Sequence, residues 1–175
     1  MGYDTWREEV MDLRRQKDDA FAKSPDSPIP YPERGSFRGL RYYDPDPRYL
    51  LQVPLTREEP KRLRIPRSAG DVVLYDRVGH FDVMLPDGTV RLAALASEGQ
   101  EPGTLFVPFR DATSGKETYG AGRYLEAHHL EGDLWLLDFN LAYHPFCAYN
   151  DAYACPLPPV ENWLKVPVRA GERLP

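Results

Sequence analysis

Two charged side chains lie within apolar stretches in the second half of the chain. Asp138 falls in the run 133–140, where an isolated carboxylate is costly to bury unless it is paired and hydrogen-bonded. We expect Arg123, in the stretch 119–125, to be its partner, because a guanidinium can bind a carboxylate through two parallel hydrogen bonds. The two residues form either a structural ion pair or part of a pocket that holds a polar ligand.

Aromatic walls with a few convergent polar groups are typical of a small-molecule pocket. The residues expected to bind a ligand are Asp111, Tyr119, Arg123, Asp138, Asn140 and Tyr143. Arg123 would favour a small anionic ligand, with a carboxylate or phosphate, and Asp138 is the candidate catalytic residue, as a general acid or base. The alternative is a non-catalytic structural or protein-interaction module whose polar residues form an internal network.

Cys147 and Cys155 lie eight residues apart, and His144 precedes the first of them by three. These three side chains would suffice for a catalytic zinc site with a water as fourth ligand. A disulfide and a nucleophilic Cys147 activated by His144 are two further alternatives. The favoured interpretation is two buried thiols without a special role, so we expect neither a metal nor a cofactor.

Gly120 and Gly122 share one face of a predicted strand and clear space there. Glycines inside a strand usually mark a bulge or a close approach by another backbone, an aromatic ring or a ligand. The pattern therefore leaves two interpretations open, a bulge or barrel corner and a glycine-lined floor of a ligand site.

The same region resembles a known family. Residues 106–126 read FVPFRDATSGKETYGAGRYLE, residues 137–149 read LDFNLAYHPFCAY and residues 155–172 read CPLPPVENWLKVPVRAGE. They resemble the bacterial family called domain of unknown function 1684, with its Asp-x-Thr-x-Gly turn, Thr-Tyr-Gly-x-Gly-Arg strand, Asp-Phe-Asn strand and Cys-Pro-Leu-Pro-Pro loop. The matching residues are Asp111, Thr113, Gly115, Thr118, Tyr119, Gly120, Gly122, Arg123, Asp138, Phe139, Asn140, Tyr143, Cys147, Cys155, Pro156, Pro158, Pro159, Asn162 and Gly171. At His144 the family more often has Asn. The resemblance implies membership of this family and brings no reaction with it.

An amphipathic helix is predicted over residues 5–23, ahead of this region. Trp6 and Val10 lie near its apolar face, and charged residues cover the rest. Thr5 followed by Glu8 has the spacing of a capping box, which predicts the start of the helix. We expect this helix to cover an open end or face of a sheet.

A proline-rich strap and a β-rich core are predicted to follow the helix. Residues 24–48 hold six prolines together with several aromatic residues, which favours an ordered strap that wraps the core. Within the core, 49–175, strands are predicted at 61–65, 71–77, 80–85, 89–95, 104–109, 118–128, 133–140 and 163–168. Short strands with frequent turns predict one mainly β domain over residues 1–175, an antiparallel barrel or sandwich.

Charge and hydropathy exclude two classes of partner. The net charge is −5, and residues 68–175 carry 8 basic and 15 acidic groups, so the body lacks the clustered lysine and arginine of a nucleic-acid interface. The longest apolar stretches are far shorter than the roughly 20 residues that cross a bilayer. The first ten residues hold no basic segment followed by an apolar run, which predicts a cytoplasmic location.

Overall fold

The computed structural model describes residues 2–175, and within them six antiparallel strands close into a barrel. The helix and strands in chain order are α1 (Tyr3–Lys23), β1 (Arg41–Tyr42), β2 (Leu50–Pro66), β3 (Val72–Leu85), β4 (Gly88–Ala96), β5 (Thr104–Phe109), β6 (Arg123–Glu131), β7 (Leu134–Asp138) and β8 (Glu172–Arg173). The barrel order is β2, β3, β4, β5, β6 and β7. The predicted mainly β fold is confirmed, and of the two architectures expected the chain adopts the barrel.

The long strand β2 closes the barrel because its two halves pair with different neighbours. In its first half Leu51 lies opposite Leu137 of β7, and in its second half Ile65 lies opposite Val73 of β3. A register shift after Arg57 bends the strand between these two pairings. Bulges of this kind increase local twist and curvature, which closure of a small sheet requires.

Apolar side chains from alternate positions of the strands fill the barrel interior. Phe81 and Val83 of β3 are completely buried there, together with Leu125 of β6. Tyr124, next to Leu125, belongs instead to a second apolar cluster with Phe106. Because successive residues of a strand point to opposite faces, this second cluster lies on the outside of the barrel.

The helix α1 spans Tyr3–Lys23, so it begins two residues earlier than predicted and ends at the predicted position. The predicted capping box at Thr5 and Glu8 is wrong, since the residue that precedes the first turn is Gly2 and no side chain caps it. Ser24 at the other end is extended, as expected of a residue before proline. In the part of the chain that the structure describes, no helix is long and apolar enough to cross a membrane.

Residues 24–48, which we predicted to form a strap around the core, are held at two points. The N–H of Leu40 donates to the Asp18 carboxylate of α1 at 2.8 Å. Further along, β1 pairs with β8 and places Tyr42 opposite Glu172. The strap therefore links the helix to the last residues of the chain.

The predicted strand 118–128 is shorter than expected because it starts only at Arg123. The carbonyl of Tyr119 accepts the N–H of Gly122 at 3.0 Å, which makes the preceding residues a turn. Gly122 has a φ of +108°, and a Cβ added there would lie 2.5 Å from the Phe109 carbonyl oxygen. The glycine thus permits a close backbone approach at a barrel corner rather than forming a ligand floor.

The predicted strand 163–168 is absent from the described residues. Leu164 donates its N–H to the Arg110 carbonyl at 2.8 Å, but Val168 donates to the Asp111 side chain at 2.6 Å instead of continuing a ladder. The N–H of Ala112 donates to the Val166 carbonyl at 3.1 Å, so the segment makes a short run of backbone hydrogen bonds with residues 110–112 before the Asp111 side chain accepts the Val168 N–H.

Three further strand predictions differ from the structure in their bounds. The segments 71–77 and 80–85 belong to one continuous strand, β3. The predicted strand 133–140 ends at Asp138, whose carboxylate accepts the N–H of Asn140 at 3.0 Å and starts a 3-10 turn. A carboxylate that accepts from the second residue after it favours a turn over an extended chain.

Candidate functional site

The Arg123 guanidinium is completely buried and hydrogen-bonded to the final segment of the chain. Its Nη1 donates to the carbonyls of Ala170 and Glu172 at 2.5 and 3.0 Å, and its Nη2 donates to the Val168 carbonyl at 2.7 Å. Its Nη2 also lies 3.6 Å from Oδ2 of Asp111, which is buried as well. Burial lowers the pKa of Arg123, and the Asp111 charge opposes that shift.

Asp111 completes this arrangement from the opposite side. It accepts the Val168 N–H at 2.6 Å and the Thr113 hydroxyl at 2.8 Å, and the Thr113 and Thr118 hydroxyls are hydrogen-bonded to each other. We call Asp111, Arg123 and the segment 168–172 the barrel-end staple. A buried ion pair with this many partners fixes the end of the chain onto the barrel.

The expected pairing of Arg123 with Asp138 is wrong, and strand alternation explains why. On β6, Leu125 shares the inward face with Arg123; on β7, Leu137 points inward, so the adjacent Asp138 points outward. The two charged groups therefore lie on opposite sides of the sheet. Inside the barrel, Arg123 pairs with Asp111 instead.

A second buried polar group lies beside the staple, around the side chain of Glu172. Its Oε1 accepts from the Tyr149 hydroxyl at 2.7 Å and from the His144 N–H at 3.3 Å, and its Oε2 pairs with the ammonium of Lys17. The His144 Nε2 in turn accepts the Tyr119 N–H at 3.2 Å. Burial lowers the pKa of His144 to about 3, and the nearby positive charges add to this, so the ring is neutral.

The two cysteines are free and buried. The Cys155 Sγ accepts the Cys147 N–H at 3.4 Å, and the Tyr119 hydroxyl lies 3.7 Å from the Cys147 Sγ. Burial raises the pKa of Cys155 to about 11, so its thiol is protonated at neutral pH. Residues 2–175 contain no group of three histidine, cysteine, aspartate or glutamate side chains that could hold a metal ion. Because His144 is engaged by Tyr119 and not by Cys147, the geometry supports neither the zinc site nor the nucleophile.

A groove of about 480 Å³ runs between α1 and the outer face of β2, β6 and β7. We call it the helix groove. Its apolar lining comes mainly from Trp6, Val10, Leu13, Leu50, Leu136 and Leu141. Several of these side chains remain half-buried or exposed although they face one another. The helix thus covers the outer face of the strands only in part.

Carboxylates provide the charge in the helix groove. Asp138 accepts the Trp6 indole N–H at 2.9 Å and the Asn140 amide at 2.9 Å, so it attaches the helix to the end of β7. Glu9 and Glu126 also line the groove, and no described lysine or arginine does. The groove therefore joins an apolar surface to carboxylates, of which Asp138 also interacts with the charge of the buried Arg14 guanidinium.

The helix groove contains one of the six residues expected to bind a ligand, Asp138, with Asn140 behind it as a donor. The other four line the staple or the loops that cover the second apolar cluster: Asp111, Arg123, Tyr119 and Tyr143. Sequence reasoning missed the helix as a groove wall. The sequence did indicate this surface, because the apolar Leu136 lies on the same outward face of β7 as Asp138, and an apolar side chain there favours a covering element.

A helix-covered antiparallel barrel whose final segment is fixed by a buried arginine and aspartate defines this class of protein. The chain belongs to the family described as Protein of unknown function (DUF1684), whose model matches residues 35–173. The family resemblance expected from the sequence is thereby confirmed. The chain is similar to an uncharacterized protein of Haloarcula marismortui solved by NMR in solution, at 42% identity and a TM-score of 0.75, over 98% of this chain and 95% of that chain. No curated protein matches it.

Proposed function

We propose that the protein binds a small amphipathic amine, an ammonium group carried on an apolar body, in the helix groove. One observation carries the proposal: an apolar groove of about 480 Å³ is lined by three carboxylates and by no described lysine or arginine. Such a volume falls within the range of small-molecule sites.

The apolar body of the ligand would lie between α1 and the outer strand face. Leu13 of the helix is about half exposed, and Leu136 of β7 is half-buried, so both retain apolar surface to cover. Covering apolar surface contributes roughly 25 cal/mol per Å² before the costs of association. An alkyl or aromatic body thus supplies the affinity.

The ammonium would lie near Asp138, Glu9 and Glu126. An ion pair at about 4 Å gains roughly 1 kcal/mol in water and about 4 kcal/mol at the edge of a protein. The Trp6 ring offers a further favourable contact, because an indole face attracts cations. These groups select an amine over an acid with the same body.

The anionic ligand expected from the sequence depended on Arg123, whose guanidinium is completely buried in the staple. We therefore propose a cationic ligand in its place. Both oxygens of the candidate acid or base, Asp138, accept protein donors, so we propose that it holds the helix and provides charge. The proposal is binding without a chemical step.

Calorimetric titrations with octylamine, octanoate and octanol test the proposal, because the three share a straight alkyl body and differ chiefly in the charge of the head group. We expect octylamine to bind most tightly and octanoate not to bind measurably. Gln52 is exposed and lines the groove, so it allows a matched pair of variants. Gln52→Lys should weaken octylamine binding about tenfold, equivalent to about 1.4 kcal/mol, and Gln52→Glu should strengthen it.

Tighter binding of octanoate than of octylamine overturns the proposal. The proposal is also overturned if both substitutions at Gln52 change the octylamine affinity equally. An equal change would come from the altered shape of the groove and not from the sign of the added charge.

A further inference from the structure

A second cleft, of about 350 Å³, lies on the outside of β5 and β6 beside the loop that joins β4 to β5. Four aromatic rings line it, and we call it the aromatic cleft. They are Tyr75, Phe106, Tyr124 and Tyr143. None of these rings lines the helix groove, so the cleft is a separate feature of the surface.

The rings of the aromatic cleft meet at steep angles. Phe106 and Tyr124 are 4.8 Å apart between centroids and inclined at 75°, and Tyr124 and Tyr143 are 5.8 Å apart at 89°. Tyr75 stacks on Phe106 at 5.5 Å. In an edge-to-face pair the positive edge of one ring covers the negative face of the other, so these contacts hold the rings together, and the half-buried Tyr75 and Tyr143 provide the exposed aromatic surface of the cleft.

Hydrogen bonds fix two of these rings before any ligand arrives. The Tyr124 hydroxyl donates to the Pro156 carbonyl, and the Tyr143 hydroxyl donates to Glu126 at 2.5 Å. Burial raises the pKa of both tyrosines far above the usual value, so the hydroxyls stay neutral. A ligand therefore meets preorganised rings, which reduces the entropy lost on binding.

The charged side chains that line the aromatic cleft are all acidic. Glu98 and Glu126 line it, and no described lysine or arginine does. The Tyr143 ring already accepts one cation, since the Lys17 ammonium lies 4.8 Å from its centroid. That ammonium pairs with the buried Glu172 carboxylate, so it does not neutralise Glu98, while Oε1 of Glu126 already accepts the Tyr143 hydroxyl.

We propose that the aromatic cleft binds a compact methylated ammonium group. The methyl groups pack against aromatic faces without needing hydrogen-bond acceptors, and the dispersed charge is attracted by those faces and by the carboxylates. The proposal stands independently of an amine in the helix groove, although Glu126 borders both cavities.

Choline and 3,3-dimethylbutan-1-ol test the proposal, because they have the same shape and only choline is charged. Titrations followed by NMR should show binding of choline and at least a tenfold weaker response to the uncharged analogue. Tyr75 is half-buried, so its ring can be changed with little effect on the barrel. Tyr75→Leu should weaken choline binding about tenfold, within the range of a cation–π contact, and Tyr75→Phe should leave it unchanged.

Two further variants separate this site from the helix groove and keep the test decisive if Tyr75→Leu does not fold. Glu98→Gln, at an exposed loop position, should weaken choline binding, and Gln52→Lys should leave it unchanged. Equal binding of choline and its uncharged analogue overturns the proposal, as does unchanged choline affinity in a folded Tyr75→Leu or Glu98→Gln variant. Loss of choline binding in Gln52→Lys would assign the cation to the groove instead.

Discussion

The barrel-end staple and the helix groove both contain carboxylates, yet they use them differently. In the staple, Asp111 and Arg123 are 6% and 0% exposed and engage several protein partners. In the groove, the exposed side chains of Glu9 and Gln52 have no hydrogen-bond partner among the described residues, whereas Asp138 and Glu126 each accept a protein donor. The buried charged residues of the staple therefore stabilise the fold, and the exposed residues of the groove form the surface that is available to a ligand.

This difference follows from the cost of burying charge. A guanidinium inside a barrel requires a carboxylate and several carbonyls, so its neighbours are tightly specified. An open groove tolerates many side chains, because water compensates for groups that the protein leaves unpaired. A polar motif with strict spacing is thus as consistent with a buried network as with a catalytic site.

The largest effect should come from the staple itself. Arg123→Met leaves the Asp111 carboxylate buried beside an uncharged side chain. It also removes the three hydrogen bonds that Arg123 donates to carbonyls of the final segment. Breaking a buried pair from one side costs about 3–5 kcal/mol, which urea denaturation at pH 7 would measure. Arg91→Met, at an exposed pair with Asp82, is the control and should cost less than about 1 kcal/mol. Similar losses in the two variants would remove the contrast between staple and surface.

The neutral His144 gives the buried region a pH dependence. Its folded pKa of about 3 lies below the usual 6.5, so between these values the unfolded chain binds a proton that the folded chain does not. Stability therefore rises with pH in this window, by up to about 1.4 kcal/mol per pH unit, and becomes level above about pH 7. The groups that face the ring are Lys17, Tyr119, Arg123, Tyr149 and Glu172.

His144→Asn tests this dependence, because the amide can accept a hydrogen bond but does not titrate. Unfolding free energies of both proteins should be measured between pH 4.5 and 6.5, above the range in which most carboxylates titrate. The wild type should lose stability more steeply as the pH falls, and the difference in unfolding free energy between the two proteins should become constant towards pH 7. Parallel curves would mean that the ring already carries its proton in the folded state.

Period-two alternation revealed the second half of β2, where Leu63 and Ile65 alternate with arginines, whereas β5 is apolar and buried over almost its whole length. The same patterns overextended β6, because the left-handed Gly122 ends the turn before it. The partner of Arg123 was misjudged because the pairing depends on which face of each strand lies inside the barrel. The groove depends on a contact between Trp6 and Asp138, which lie 132 residues apart in the sequence. No local sequence pattern predicts such a contact.

A smaller effect is expected where the helix meets the sheet. Trp6→Phe keeps an aromatic ring but removes the N–H that donates to Asp138 at 2.9 Å. A buried acceptor that loses a donor costs about 1–3 kcal/mol, and this range applies here because both Asn140 donors bind Oδ1 of Asp138 and the Trp6 N–H binds Oδ2. Thermal denaturation measures the loss, and faster amide exchange in α1 would locate it. Unchanged exchange in the helix would show that other contacts hold it.

The smallest effect on stability should come from the groove wall, where binding changes instead. Gln52 is exposed, so Gln52→Lys and Gln52→Glu should each alter the free energy of unfolding by less than about 0.5 kcal/mol, as is usual for surface positions. Octylamine affinity should nevertheless change in opposite directions in the two variants, because only the sign of the added charge differs. A stability loss above 1 kcal/mol in either would make the groove part of the fold's own packing, like the staple. If both variants keep the wild-type stability and their octylamine affinities change in opposite directions, the groove and the staple differ in function as well as in burial.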